Sequence, residues 1–476
     1  MNRESLKSFV QNGKIIFDRN DENVLSKRDV FNLAHAFGLW LKEKLARNET
    51  NISVAVGTDV SEISEEIKDV FLKSFTNDGF LVFDAQRTFL PALFRMTIHQ
   101  NVTGCVFVSV SDKDSTKISF EFLTRLGCIC DDELYEIIDM LTYSNKKIDL
   151  IVPDFRLDSN LKHFAELTRQ RICQRINSTD FSRPLRSLKF VIDTNEGIGS
   201  FVVDKILLPL GAEVVEVKGS DAVVKHCRNV CANAGIIFDY NLKNITIVSK
   251  EYGLLTREAF TSLIVQLLET GENEEITVLT NYKVSSKTID SCSTKSKCNF
   301  EIDLNENSDL IKRQKYLNEN GVNCPLSVMD RGYCCFAENY FLPDPVFTLF
   351  KLIMKIVSLK EDGKKLDYLL APFYQSSGEW KMKNNSFDKK GYASTVLTAL
   401  EGHFLKDSRW ETTADDRSVH CKADEFDFEI LNDNDEFLTL KINAGSYKTV
   451  FKLLKEIKDF IQLFSSLNID EIEGVF

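Results

Sequence analysis

The chain has 476 residues, 43% of them hydrophobic, and a formal net charge of −12, enough for three or four domains with cores of their own and a balance that disfavours a general nucleic-acid role. Its longest apolar stretch, Val346 to Leu359, is interrupted by Lys351 and Lys355 and falls short of the ~20 residues a membrane helix needs. The cysteines show neither paired C-x2-C spacing nor a nearby histidine set, which predicts reduced, mostly packed thiols, and the polar segment Met1 to Lys14 shows no secretory signal, which predicts a cytoplasmic protein.

Along the chain, short β-branched runs alternate with longer amphipathic segments, the pattern of parallel sheets covered by helices. Ser26 with Asp29 three residues later predicts a capping box, and Val30, Leu33, Phe37 and Leu41 then line one helical face. Ile52 to Val56, Leu81 to Asp84 and Val106 to Val110 read as strands. A polar stretch from Asn177 to Arg183 with Pro184 separates this unit from a second, which opens with the apolar run Leu188 to Asp193, followed by Gly197 and Gly199. Its strands continue through Glu213 to Val217 and Gly235 to Phe238. A third unit opens near Glu251-Tyr252-Gly253 with a helix and the strand Ile276 to Thr280, while Ser285 to Asn320, rich in Ser, Thr, Asn, Lys and Asp, reads as loops around a weakly patterned core. The charged run from Leu359 to Lys365 reads as a linker. The chain then closes with a small α+β unit, pairing a strand (Phe437 to Ile442) with a helix carrying Val450, Leu454, Ile457, Phe460 and Phe464.

Gly57-Thr58-Asp59, a strand-helix unit ending at Leu90-Pro91, and the strand-loop from Gly104 to Asp114 resemble the first domain of an α-D-phosphohexomutase, the phosphomannomutase/phosphoglucomutase family. The likeness continues in order. Leu188 to Asp193 with Leu210 to Val215 resembles the second domain, Ala232 to Val248 the strand carrying the metal loop, and Tyr368 to Trp380 the start of the last domain. The resemblance implies an α/β protein of three successive similar α/β domains, with mixed sheets flanked by helices, plus a smaller C-terminal α+β domain, arranged around a central cleft. The boundaries would be 1–160, 161–250, 251–365 and 366–476.

It also implies where the chemistry would lie. The family's phosphoryl-carrying serine sits in T-A-S-H-N-P; here the loop is Ser109-Val110-Ser111-Asp112-Lys113-Asp114, which leaves Ser111 at the serine position without the His, Asn and Pro. The family's D-G-D-A-D-R loop gathers three carboxylates around Mg²⁺, a hard cation that wants oxygen ligands. The matching Asp239-Tyr240-Asn241-Leu242-Lys243-Asn244 keeps Asp239, replaces the others by the amide of Asn241 and the ammonium of Lys243, and so predicts poor magnesium binding. Losing a metal that supplies several kcal/mol to phosphoryl charge implies transfer at least ~10³-fold slower, at ~1.4 kcal/mol per factor of ten. The sugar loop G-E-x-S-G-H matches Val328 to Tyr333, with Arg331 and Gly332 but without the Glu. The phosphate clamp R-x-S-x-T-E-P matches Lys441 to Tyr447, in which Lys441, Asn443 and Gly445 could still hold an anion without the fork of an arginine. Near the start, Y-D-x-R-G reads Asn20 to Val24 without its arginine, and the arginines of G-R-D-x-R have become Thr58 and Ser61.

Strand and helix patterns are thus kept while five loops meant for one cleft lose charge. This predicts a catalytically inactive or strongly impaired homologue with no cofactor, a binding or regulatory module for a phosphosugar, another phosphorylated small molecule or an active relative. The enzyme alternative is a divergent mutase that uses Mg²⁺ and phospho-Ser111, with Lys243 supplying charge and Lys441 or Arg331 gripping substrate. A chance likeness on an unrelated α/β protein is the third reading. The six histidines are scattered, and His226 and Cys227 near Cys231 read as an ordinary helix face.

Overall fold

The computed structural model describes residues 2–20, 25–45, 52–111, 115–143, 147–176, 183–271, 274–284, 286–292, 297–303, 307–329, 332–374, 377–423, 426–444 and 447–473. It forms two compact units, 1–367 and 368–476.

The first unit contains three sheets. The first sheet comprises β1 (Val10–Gln11), β2 (Lys14–Asp18), β3 (Ser53–Thr58), β4 (Leu81–Arg87), β5 (Gly104–Val110), β6 (Lys117–Thr124), β7 (Gly127–Cys128) and β8 (Arg156–Leu157), in the order β1-β2-β6-β5-β3-β4-β8 with β7 on β6. The second comprises β9 (Lys189–Asp193), β10 (Glu213–Glu216), β11 (Ala234–Phe238), β12 (Ile245–Ser249) and β13 (Gly253–Leu254), ordered β10-β9-β11-β12-β13. The third comprises β14 (Glu275–Thr280), β15 (Lys297–Ile302), β16 (Leu326–Met329) and β17 (Tyr333–Phe336), ordered β15-β14-β16-β17.

One plan recurs in all three. A first strand takes the centre, the second and third lie parallel on either side of it, and a fourth returns antiparallel to the third (β3-β4-β5-β6, β9-β10-β11-β12 and β14-β15-β16-β17). The fold is therefore three successive similar α/β domains with mixed sheets. The second unit adds β18 (Ser377–Asn384), β19 (Glu411–Ala414), β20 (Ser418–Lys422), β21 (Phe426–Asn432), β22 (Phe437–Ala444) and β23 (Leu467–Asn468), an antiparallel sheet ordered β19-β20-β21-β22-β18-β23.

Burial explains the central strands. Every residue of β3 and β5 is buried, as expected of parallel strands covered on both faces. Val54 and Val56 join one core with helices Lys27–Lys44 and Glu62–Asn77, while Ala55 joins a second with helix Leu90–His99. The Ser26–Asp29 capping box is formed in both directions. The larger core is aromatic: Phe71 packs edge-on against Phe120 with ring centroids 5.1 Å apart, and Phe37 lies 4.8 Å from Phe122. The thiols are all free and most are buried. Among the described residues no helix is long and apolar enough to cross a membrane, and no cluster of His, Cys, Asp and Glu could hold a metal ion.

The segment expected to be loops, Ser285 to Asn320, instead carries helix Ser286–Cys292, strand β15 and helix Asn307–Glu319. Its inward positions include a polar one. Leu310 and Leu317 are buried together with Gln314, whose amide donates to the carbonyls of Cys324 and Cys335 and accepts from Ser327 Oγ. A buried glutamine with all its bonds made is compatible with a core, yet it erases the apolar stripe by which a sequence announces a helix.

Phe71→Ala should lower stability by about 3–5 kcal/mol, read as a shift of the urea midpoint of the first unit.

Candidate functional site

The fourth-strand hairpins bring the candidate loops together. β5 turns into β6 through Ser111, β11 into β12 through 239–244, and β16 into β17 through 330–332, so the three loops are topological equivalents at the carboxyl ends of parallel strands, where open α/β sheets build their sites.

Ser111 is exposed just past β5, and its N–H donates to Lys117 O at 3.1 Å. Residues 112–114 lie outside the described set. Behind Ser111, the Val110 N–H donates to Asp59 Oδ2 at 2.6 Å, and Asp59 Oδ1 accepts from the Ser61 N–H at 2.9 Å. Burial pushes the Asp59 carboxyl up, opposed by those two N–H groups, the Ser64 hydroxyl and the charge of Lys243. Thr58, at one of the lost arginine positions, donates to Glu65 Oε1 at 3.0 Å.

The 239–244 loop docks onto the first domain. The Tyr240 side chain joins the aromatic core of that domain, and its carbonyl accepts the Ile198 N–H at 3.2 Å. Gly197 is required at that approach, since a Cβ there would strike Tyr240 O. Asn241 is buried; its Nδ2 donates to Val110 O, and its Oδ1 finds no partner among the described residues. Asp239 Oδ1 accepts from the N–H groups of Lys243 at 2.6 Å and Asn244 at 2.7 Å, so the carboxylate pins its own turn. Burial pushes this carboxyl up, against those N–H groups and the nearby ammoniums.

The Lys243 ammonium donates to Glu121 Oε1 at 2.5 Å in a buried ion pair, and Lys14 lies 3.4 Å from the other carboxylate oxygen. Burial works against the Glu121 charge, but the two ammoniums outweigh it and hold the carboxyl below its ordinary value. Burial likewise opposes the Lys243 charge, and Glu121 more than restores it, raising that ammonium. Glu121 escaped the sequence reading. Its signal was a lone acid in the otherwise apolar or small run Ile118 to Thr124 on a strand buried from Ile118 onward, but the partner that explains it is 122 positions away.

These oxygens do not suit a divalent cation. Asp239 Oδ1 is engaged with two N–H groups, the amide nitrogen of Asn241 faces a backbone carbonyl so that only its Oδ1 is without a partner among the described residues, and an ammonium stands third. Magnesium wants several oxygens in near-octahedral array, and a resident cation opposes a second.

Arg331 lies outside the described residues. Beside it, Gly332 adopts φ +77° and sits against the Ile245 carbonyl, which a Cβ would strike, so the third hairpin rests on the second domain. Lys441 and Asn443 stand on β22 of the second unit and are described there alone: Lys441 pairs in register with Glu379 and Glu429, and Asn443 Nδ2 donates to Asp427 Oδ2 at 3.0 Å. Gly445 is outside the described residues. The structure thus joins Ser111, Asp239, Asn241 and Lys243 and adds Asp59, Glu121 and Lys14.

Residues 16–147 match the family model of phosphoglucomutase/phosphomannomutase, alpha/beta/alpha domain I. Over that first domain the chain is similar to the phosphoglucomutases and phosphomannomutases. It is 24% identical over 222 residues to the phosphoglucosamine mutase of Campylobacter hominis, covering 47% of this chain and 48% of that protein. Against the phosphoglucomutase/phosphomannomutase of Thermococcus kodakarensis it is 25% identical over 185 residues, covering 38% of this chain and 39% of that one. The chain therefore matches less than half the length of these curated relatives. In fold the likeness is longer. A phosphoglucomutase/phosphomannomutase family protein from Burkholderia thailandensis superposes with a TM-score of 0.60 at 15% identity, covering 96% of this chain and 98% of that one. The open form of parafusin, a phosphoglucomutase from Paramecium, gives 0.54 at 10% identity, covering 94% and 97%. The phosphohexomutase fold thus extends along nearly the whole chain.

On that fold the Glu121 pairings tie the first domain to the second. Glu121→Gln should cost about 3–5 kcal/mol, because it leaves the buried Lys243 ammonium and the half-buried one of Lys14 without their carboxylate. Because the Glu121 carboxyl is held below its ordinary 4.5, its contribution is complete above that pH and lost as pH falls through the folded value. Urea midpoints across the acid range should therefore fall less steeply for the variant. Gly332→Ala should cost about 1–3 kcal/mol through backbone strain and the steric conflict with Ile245, measured the same way.

Proposed function

We propose that this protein keeps the phosphohexomutase scaffold without its phosphoryl-transfer activity and serves as a binding or regulatory module, engaging a phosphorylated small molecule or an active relative. The observation that carries this reading is the buried Lys243–Glu121 ion pair. Where the family resemblance calls for a metal-holding loop, this chain places an ammonium, and that ammonium is directed at Glu121 rather than left free for a phosphate. The neutralising charge that a phosphoryl group meets in this family is therefore already spent. A lost metal alone is worth several kcal/mol, or at least ~10³-fold in rate.

Ser111 itself remains exposed at its hairpin, which makes the alternative testable. In a coupled assay with glucose 1-phosphate, mannose 1-phosphate or glucosamine 1-phosphate, a sugar 1,6-bisphosphate and Mg²⁺, no turnover above background is expected. The intact mass should show an unphosphorylated chain, and Mg²⁺ should leave the Tm unchanged. Turnover that disappears in Ser111→Ala would overturn the proposal in favour of a divergent mutase.

A further inference from the structure

A cavity of about 650 Å³ lies between the first sheet and helix Asn307–Glu319 of the third domain, well within the size range of small-molecule sites. Its walls carry Lys14, Lys312 and Lys315 beside Glu121, Asp132 and Glu133, with Tyr333, and these charges are not all paired with one another. Lys312 is paired with Asp132 at 2.8 Å. Glu133, a third acid of the wall, accepts the Cys130 N–H at 2.9 Å in a capping box. Glu121 has given one oxygen to Lys243 at 2.5 Å, so Lys14, 3.4 Å from the other oxygen, shares a carboxylate already neutralised. Lys315 donates to the Leu126 carbonyl at 2.8 Å and faces the Phe341 ring, with no carboxylate partner among the described residues.

One further feature bears on the same space. Burial pulls the Lys14 ammonium below its ordinary value despite Glu121, as for a cation short of counter-charge.

We infer that this cavity binds a small organic anion, its anionic group held by Lys14 and Lys315. The anionic group is a carboxylate or a phosphate, both of which suit a pair of ammoniums. The cavity shares Lys14 and Glu121 with the site described above, but its occupation does not depend on whether any phosphoryl transfer survives.

Isothermal titration of the full chain with citrate and with glycerol 3-phosphate tests this and separates the two anion types. Saturable binding with Kd about 1 mM or tighter is expected for at least one of them. Lys315→Ala, on the half-buried side of a helix, should weaken binding about tenfold or more while leaving the Tm near that of the wild type. Lys14→Gln should also weaken binding, and Lys205→Ala in the second domain should change nothing. Ser111→Ala should also bind normally, which keeps this result distinct from the mutase assay. Absence of binding of both probes to the wild type, or binding indifferent to Lys315→Ala and Lys14→Gln alike, would overturn the inference.

Discussion

A single buried carboxylate holds the centre of the first unit together. Glu121 lies mid-strand on β6 and meets two ammoniums, Lys14 from the neighbouring strand and Lys243 from a loop of the next domain. Removing three charges from water is costly, and the attraction among them offsets that cost only where the geometry is close and the remaining bonds are made. Here the closest contact spans two domains, so its geometry depends on the docking of the whole 239–244 loop. Tyr240 in the aromatic core, Gly197 beneath its carbonyl and Asn241 on Val110 O supply that docking. The ion pair and the packing are one device.

The same device decides what the loop can do. A hairpin that must present oxygens to a divalent ion needs carboxylates that are otherwise idle. Asp239 Oδ1 is occupied with two backbone N–H groups, and Lys243 fills the neighbouring space with its own charge. The loop has become an internal cross-brace. The three hairpins, equivalent turns of one repeated strand plan, also touch in sequence: the second leans on Val110 next to Ser111, and the third leans on Ile245 through Gly332.

The repeated sheets were largely legible in the residues. β3, β5, β9, β11 and β14 are apolar, β-branched runs bounded by turn residues, and the capping box at Ser26 declared its helix. Ser285 to Asn320 was illegible for a local reason, since Gln314 stands at a core position with its hydrogen bonds made by distant carbonyls and a serine. The candidate loops could be located by their order along the chain. Their state could not, because whether Lys243 faces a ligand, solvent or an acid depends on what another domain presents to it.

The sequence by itself determined the alternation of strands and helices, the chain order of the loops and the single carboxylate of 239–244, since each is a property of residues close together along the chain. Only the tertiary structure decided that Lys243 is neutralised by Glu121, that Asn12 and Lys315 line one cavity, and that Tyr240 anchors the loop. The physical reason is that burial and charge pairing act across space. Glu121 and Lys243 stand 122 positions apart, and no periodicity along a chain records a contact made between two separately folded sheets.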